Sequence, residues 1–143
     1  MVYLLNPSAI EGWWPMVAPL LEKVWLKTPT GIHETIEDLI QDLAVGLSYC
    51  FVDEDKRFAG VFTVNEGRHQ KYLMLYTAGG EAPAGGWEEV DSFLEQMAEV
   101  FGCSCIQVQG RLGWKRELQP LGYNFDYVTL TKEASHVGRK QGE

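Results

Sequence analysis

Lys71 to Gly102, KYLMLYTAGGEAPAGGWEEVDSFLEQMAEVFG, dictates more of the architecture than any other segment of this chain. It predicts a buried strand over Tyr72 to Tyr76, a loop carrying Gly79, Gly80, Gly85 and Gly86, and a long helix from Trp87. The apolar stripe of that helix is Trp87, Val90, Phe93, Leu94, Met97, Ala98 and Phe101, and Gly102 stops it. A helix N-terminus presents unpaired N–H groups and a partial positive charge, so a glycine-rich turn feeding one is a candidate anion cradle. Glycine also lets the backbone approach an anion closely and turn through positive φ. Alone, such a loop is more often a plain connection, so its meaning depends on the elements around it.

Those elements follow a definite order. Val2 to Leu5 is a short apolar strand closed by the turn Asn6-Pro7-Ser8. A helical pattern then runs from about Ala9 to Leu26, with Trp13, Val17, Leu20, Leu21, Val24 and Trp25 on one face. Pro15 falls in its first turn, and Pro19 is expected to kink or split it. Ile32 to Val45 is a second helix, with Ile36, Leu39, Ile40 and Leu43 at helical spacing and Gly46 as its stop. Leu47 to Val52 and Arg57 to Asn65 read as strands around the polar turn Asp53-Glu54-Asp55-Lys56. Beyond the third helix, Ser104 to Gln109 is a strand, Trp114 to Leu121 a short helix ending near Pro120, and Tyr123 to Thr131 a last strand. Glu133 to Glu143 is polar and is expected to be a disordered tail.

A chain of 143 residues is most simply one domain, assigned here to residues 1–132. A formal charge of −8 argues against nucleic acid as a partner; it suits a cationic substrate or partner, but an acidic surface that serves only solubility is the commoner case. No segment reaches the about 18 apolar residues of a membrane span, so no membrane partner is expected. Cys50, Cys103 and Cys105 are odd in number, and Cys103-Ser104-Cys105 lacks zinc-ligand spacing; the expectation is reduced core cysteines and a cytoplasmic protein. There is no Ser-His-Asp pattern, no paired metal-ligand spacing and no P-loop lysine, which removes the hydrolase, metal-site and NTPase readings.

The order strand, two helices, three strands, helix, strand, helix, strand resembles the GNAT superfamily of N-acetyltransferases over residues 2–132. Leu73-Met74-Leu75-Tyr76, the glycine loop and the Trp87 helix stand where that family places its acetyl-CoA pyrophosphate motif. Leu121-Gly122-Tyr123 is similar to its Leu-Gly-Phe signature. The resemblance implies an α+β fold, with a mixed, mostly antiparallel sheet whose central strands splay apart between flanking helices. It also implies acetyl-CoA as cofactor, a small-molecule or protein amine as acceptor, and transfer by direct attack. Leu75, Tyr76 and Thr77 would then hold the pantetheine arm, and the amides of Ala84, Gly85, Gly86 and Trp87 the pyrophosphate.

The chain departs from the family pattern in two places. Glu81 stands where the family carries Arg or Gln, and Pro83 removes one N–H from the cradle. Leu118 stands at the position of the family's general-acid Tyr and has no proton to give. Arg111, near the position of an Asn common in the family, is a candidate phosphate partner that would offset Glu81; Arg111 and Arg116 are equally read as ordinary surface cations. Glu66 and Asp126 are the candidate catalytic bases, with His69 as a further one and His33 near the acceptor side; solvated turn or strand residues are the competing reading for each. The run Gly110 to Leu118, with Gly122-Tyr123 beyond, also resembles small GNAT-like proteins of tailed bacteriophages. That second likeness implies the alternative of a scaffold without catalysis, acting through protein contacts in the host cytoplasm or the virion.

Overall fold

The computed structural model describes residues 1–25, 35–109 and 114–124. Strand β1 (Val2–Leu4) leads into a 3-10 turn at Pro7–Ala9, whose amide at Ser8 is held by the Asn6 side chain at 3.0 Å. Helix α1 (Ile10–Trp25) is unbroken through Pro15 and Pro19, contrary to the expectation of a split at Pro19. Each proline costs about 3 kcal/mol in a helix interior, and burial of Ile10, Val17 and Leu21 against the sheet is of the size that offsets it. Helix α2 (Ile36–Val45) is capped by Thr35, whose hydroxyl accepts from the Asp38 amide at 3.2 Å while Asp38 accepts from the Thr35 amide at 2.9 Å. That reciprocal box sets the start of α2. Gly46 closes it at φ +80°.

Strands β2 (Tyr49–Asp53), β3 (Phe58–Glu66) and β4 (Lys71–Gly80) form an antiparallel meander, and β1 adds to β2 at its outer edge. Helix α3 (Gly86–Phe101) crosses over to β5 (Cys105–Val108), which pairs with β4 in parallel. The sheet therefore has five described strands in the order β1-β2-β3-β4-β5. Helix α4 (Trp114–Leu118) runs on into a 3-10 turn at Gln119–Leu121, closed by Gly122 at φ +99°. The fold class is the expected one, a mixed and mostly antiparallel sheet flanked by helices.

Alternation along the strands divides the core in two. Phe51, Phe58, Phe62, Leu73 and Leu75 face Val90, Phe93, Leu94 and Met97 of α3. Cys50, Val52, Ala59 and Val61 face Val17 and Leu21 of α1 and Leu39 and Leu43 of α2. The cysteines are all free, with Cys50 buried and Cys103 and Cys105 half-buried. Cys103 precedes β5 and donates its amide to Ala98 at the end of α3, so it is a helix-terminus residue and does not share a strand face with Cys105. The expected tail at 133–143 and the last strand beyond Asn124 lie outside the described residues.

Candidate functional site

Strand β4 is the element on which the site is built. Its pairing with β3 runs from Glu66↔Lys71 to Phe58↔Gly80, so Gly79 and Gly80 are its last residues and add no slack to the loop as the sequence had suggested. The reason is a close approach. A Cβ on Gly79 would fall 2.1 Å from the carbonyl oxygen of Leu20 in α1, and one on Gly80 would fall 2.0 Å from that of Arg57. The loop proper is thereby reduced to the residues between Gly80 and α3.

Register slips once in that ladder. Phe62 pairs with Leu75 and Val61 with Thr77, so Tyr76 is the extra residue of a β-bulge. On its other edge β4 is paired with β5 only from Tyr72↔Cys105 to Leu75↔Val108, and the Gln109 amide bonds Leu75 O at 2.8 Å. From Tyr76 to Gly80, β4 has no strand on that side among the described residues. The bulge and the end of the described β4–β5 pairing thus coincide. Thr77, opposite Val61, is 4% exposed, and its Oγ1 is buried without a hydrogen-bond partner. A buried hydroxyl left so costs about 1–3 kcal/mol.

This end of β4 leads to the head of α3. Pro83 is buried, and its carbonyl accepts from the Gly86 amide at 2.7 Å, making the turn that starts the helix. Gly85 is the N-cap and offers no side chain, and Gly86 takes φ +67° with open space where a Cβ would be. Glu89 reaches back one turn and accepts from the Gly85 amide with Oε2 at 3.2 Å. Its Oε1 lies 2.6 Å from the Met1 ammonium, which also meets Glu54 at 2.6 Å and Asp53 at 3.6 Å. That ammonium, then the Gly85 N–H, holds the Glu89 carboxyl below its ordinary value. Glu81, predicted to confront a phosphate, is exposed and paired with Arg57 at 3.5 Å.

Beyond the cradle, Trp87 is met by Trp114 of α4 with ring centroids 4.7 Å apart and by Phe58 at 6.2 Å. One turn along the same stripe of α3, Asp91 accepts a 2.6 Å hydrogen bond from the Tyr123 hydroxyl. Burial first, then Asp91 as acceptor and as a like charge, pushes that phenol well above its ordinary value. Two side-chain contacts therefore tie the α4 segment to α3. Leu118 is 7% exposed and lies in the core.

The structure brings together Leu75, Tyr76 and Thr77 on the parted strand, and Ala84, Gly85, Gly86 and Trp87 at the helix head. It does not bring Glu66 to them. Glu66 pairs with Lys71 at the opposite end of β4, roughly 17 Å from Tyr76 by strand rise, and its side chain is 77% exposed. His69 is exposed in the adjoining turn, beside a hollow of about 430 Å³ that Tyr72, Met74 and Gln107 also line. Arg111, Asp126 and His33 lie outside the described residues. Sequence reading overlooked Glu89 and Arg57. The signal for Glu89 was present, as an acidic side chain in the first turn of an uncapped helix; that for Arg57 was not, because its pairing with Glu81 depends on the β3–β4 register.

No protein-family model matches the sequence, and no curated protein sequence matches it. Solved structures do. An aminoglycoside acetyltransferase from an uncultured soil metagenomic sample, in complex with sisomicin, is similar over 94% of this chain and 96% of its own, at 13% identity and a TM-score of 0.65. A ribosomal-protein-alanine N-acetyltransferase from Brucella melitensis biovar Abortus 2308 is similar over 94% of this chain and 99% of its own, at 12% identity and a TM-score of 0.64. A GNAT family acetyltransferase from Staphylococcus aureus subsp. aureus is similar over 94% and 98%, at 14% identity and a TM-score of 0.59. Identity this low leaves shape as the common property. The parted strands, the glycine-headed helix and these likenesses over nearly the whole chain lead to one conclusion: this chain has the fold of the GNAT N-acetyltransferases.

Proposed function

We propose that this chain is an acetyl-CoA-dependent N-acyltransferase that passes an acetyl group to an amine by direct attack. The observation that carries the reading is that the described pairing of β4 with β5 ends at Leu75↔Val108, on the strand that leads to the glycine-capped head of α3. The residues present fit such a cofactor. The edge of β4 at Thr77–Gly80, which no described strand covers, suits an amide-bearing arm, the open Gly86 suits close approach of a diphosphate, and the orphaned Thr77 Oγ1 is a buried polar group at the bulge.

When bound, the cofactor supplies an acetyl thioester. The chain's part would be to orient it: backbone groups of Leu75, Tyr76 and Thr77 would align the arm, and the head of α3 from Ala84 to Trp87 would oppose the phosphate charge, although the Gly86 amide already donates to Pro83 O and the Gly85 amide to Glu89. The acceptor amine must be neutral to attack, and its proton needs a carboxylate or an ordered water. Asp126 is the proposed base, because Glu66 stands at the far end of β4. Leu118 is apolar and buried, so it would supply no proton to a departing thiolate. The net charge of −8 favours a cationic acceptor, whether a small molecule or a protein amine.

The buried Leu118 also favours a second reading: a GNAT-like scaffold that has lost catalysis and works through protein contacts, as the phage resemblance implies. A thermal melt with millimolar acetyl-CoA, CoA or ATP separates the two. A ligand at about 100 times its Kd adds about 2.7 kcal/mol of stability, so the first reading expects a rise with acetyl-CoA and CoA only. No rise with either would transfer support to the scaffold.

A further inference from the structure

We infer that Glu89 is a resident anion of the α3 cradle, competing with a cofactor's diphosphate for the Gly85 amide and so setting how tightly that cofactor is held. This inference rests on the reading of the cradle as an acyl-CoA site. A helix N-terminus is ordinarily satisfied by a Ser, Thr, Asp or Asn at the N-cap. Here the N-cap is glycine, and the carboxylate comes from inside the helix. Its Oε2 is 3.2 Å from the Gly85 nitrogen, and a Cβ on Gly85 would fall 2.8 Å from that oxygen and 2.9 Å from Glu89 Cβ. The side chain is thus folded down over the loop backbone, and it is only 24% exposed.

The position is compact enough to be exclusive. A phosphate oxygen bonded to the Gly85 amide would stand in contact with the Glu89 carboxylate, two anions sharing one donor. The second carboxylate oxygen does not relieve this, since it is held by the Met1 ammonium at 2.6 Å. Glu88 precedes it in the same turn, and the nearby Arg57 is engaged with Glu81. A diphosphate therefore enters by displacing Glu89, and the cost of displacement is subtracted from its binding. The pantetheine portion carries no such charge and would lie along β4, away from Gly85.

Calorimetric titration of the full chain tests this, with CoA and with pantetheine, which lacks the diphosphate. Glu89→Gln removes the charge and keeps the shape; Glu89→Ala removes the side chain beyond Cβ. Both are expected to bind CoA about tenfold more tightly than the parent, as fits loss of one opposing charge at contact distance in partly screened surroundings. Pantetheine affinity is expected to be unchanged. Parent and variants binding CoA equally would overturn the role of Glu89 and leave the cofactor reading standing, as would an equal gain for pantetheine. If no form binds CoA, the cofactor reading fails and the inference with it. Should Glu89→Ala melt far below the parent, Glu89→Gln alone decides.

Discussion

Gly79 of β4 lies so close beneath Leu20 of α1 that a Cβ would fall 2.1 Å from the Leu20 carbonyl oxygen. This contact fixes the height of α1 over the strand beyond the last described pair of β4 with β5. The obstacle is backbone, which cannot rotate aside as a side chain can. Gly79→Ala is therefore expected to force α1 off the sheet and to cost about 3 kcal/mol in denaturant unfolding. A change under about 0.5 kcal/mol would show that the helix is not held at this distance.

The Trp87–Trp114 pair joins the head of α3 to α4 at 4.7 Å. A double-mutant cycle with Trp87→Ala and Trp114→Ala isolates their interaction from the area each buries. The expected coupling is about 1 kcal/mol, typical of tilted aromatic pairs. Strict additivity of the two single variants would mean that the rings do not meet in solution.

Thr77 pairs with Val61 inside the α1/α2 core, and its hydroxyl has no partner there. Thr77→Val keeps the shape and removes an unpaired polar atom. The free protein is expected to gain about 1 kcal/mol, read as a higher midpoint at unchanged m-value. The same substitution is expected to weaken CoA in the titration above if the hydroxyl serves the site. Destabilisation of the free protein would reveal a hydrogen bond to ordered water.

Alkali is expected to destabilise this protein through a buried thiol and a half-buried phenol. Burial pushes the Cys50 thiol up to about 12 from its ordinary 9.0, and Tyr123 is raised further above its ordinary 10.0. Between the unfolded and folded values the folded chain holds the extra proton, so stability is untouched below about pH 9 and declines above it. The slope from Cys50 alone is about 1.4 kcal/mol per pH unit up to its folded value, with Tyr123 adding to it above about pH 10. Cys50→Ala should remove the first part of this decline, and a thiol reagent should leave Cys50 unmodified in the native protein at pH 8. Rapid modification of Cys50 under those conditions would contradict its burial.

Most of the architecture was legible in the chain because the periodicities are clean. The stripe Val90, Phe93, Leu94, Met97, Ala98 is buried as the helical spacing requires, and Gly46 and Gly102 end their helices at positive φ. Where reading and structure part, the cause is a contact distant in sequence or a cap. Thr35 moved the start of α2 through its box with Asp38, and the pairing of Phe58 with Gly80 turned two loop glycines into strand.

The site divides along the same line. Local order alone, a strand, a glycine turn and an amphipathic helix, determined that an uncapped helix head would stand at the end of β4. Its chemistry was decided by tertiary structure. Register placed Glu66 beside Lys71 at the end of the strand away from the α3 head and Arg57 beside Glu81 at the near end. The bulge at Tyr76 shifted the register of β4 where its described pairing with β5 ends. Charge and polarity are written residue by residue, but which groups face each other depends on pairing across the sheet, and a shift of one residue would reverse every face.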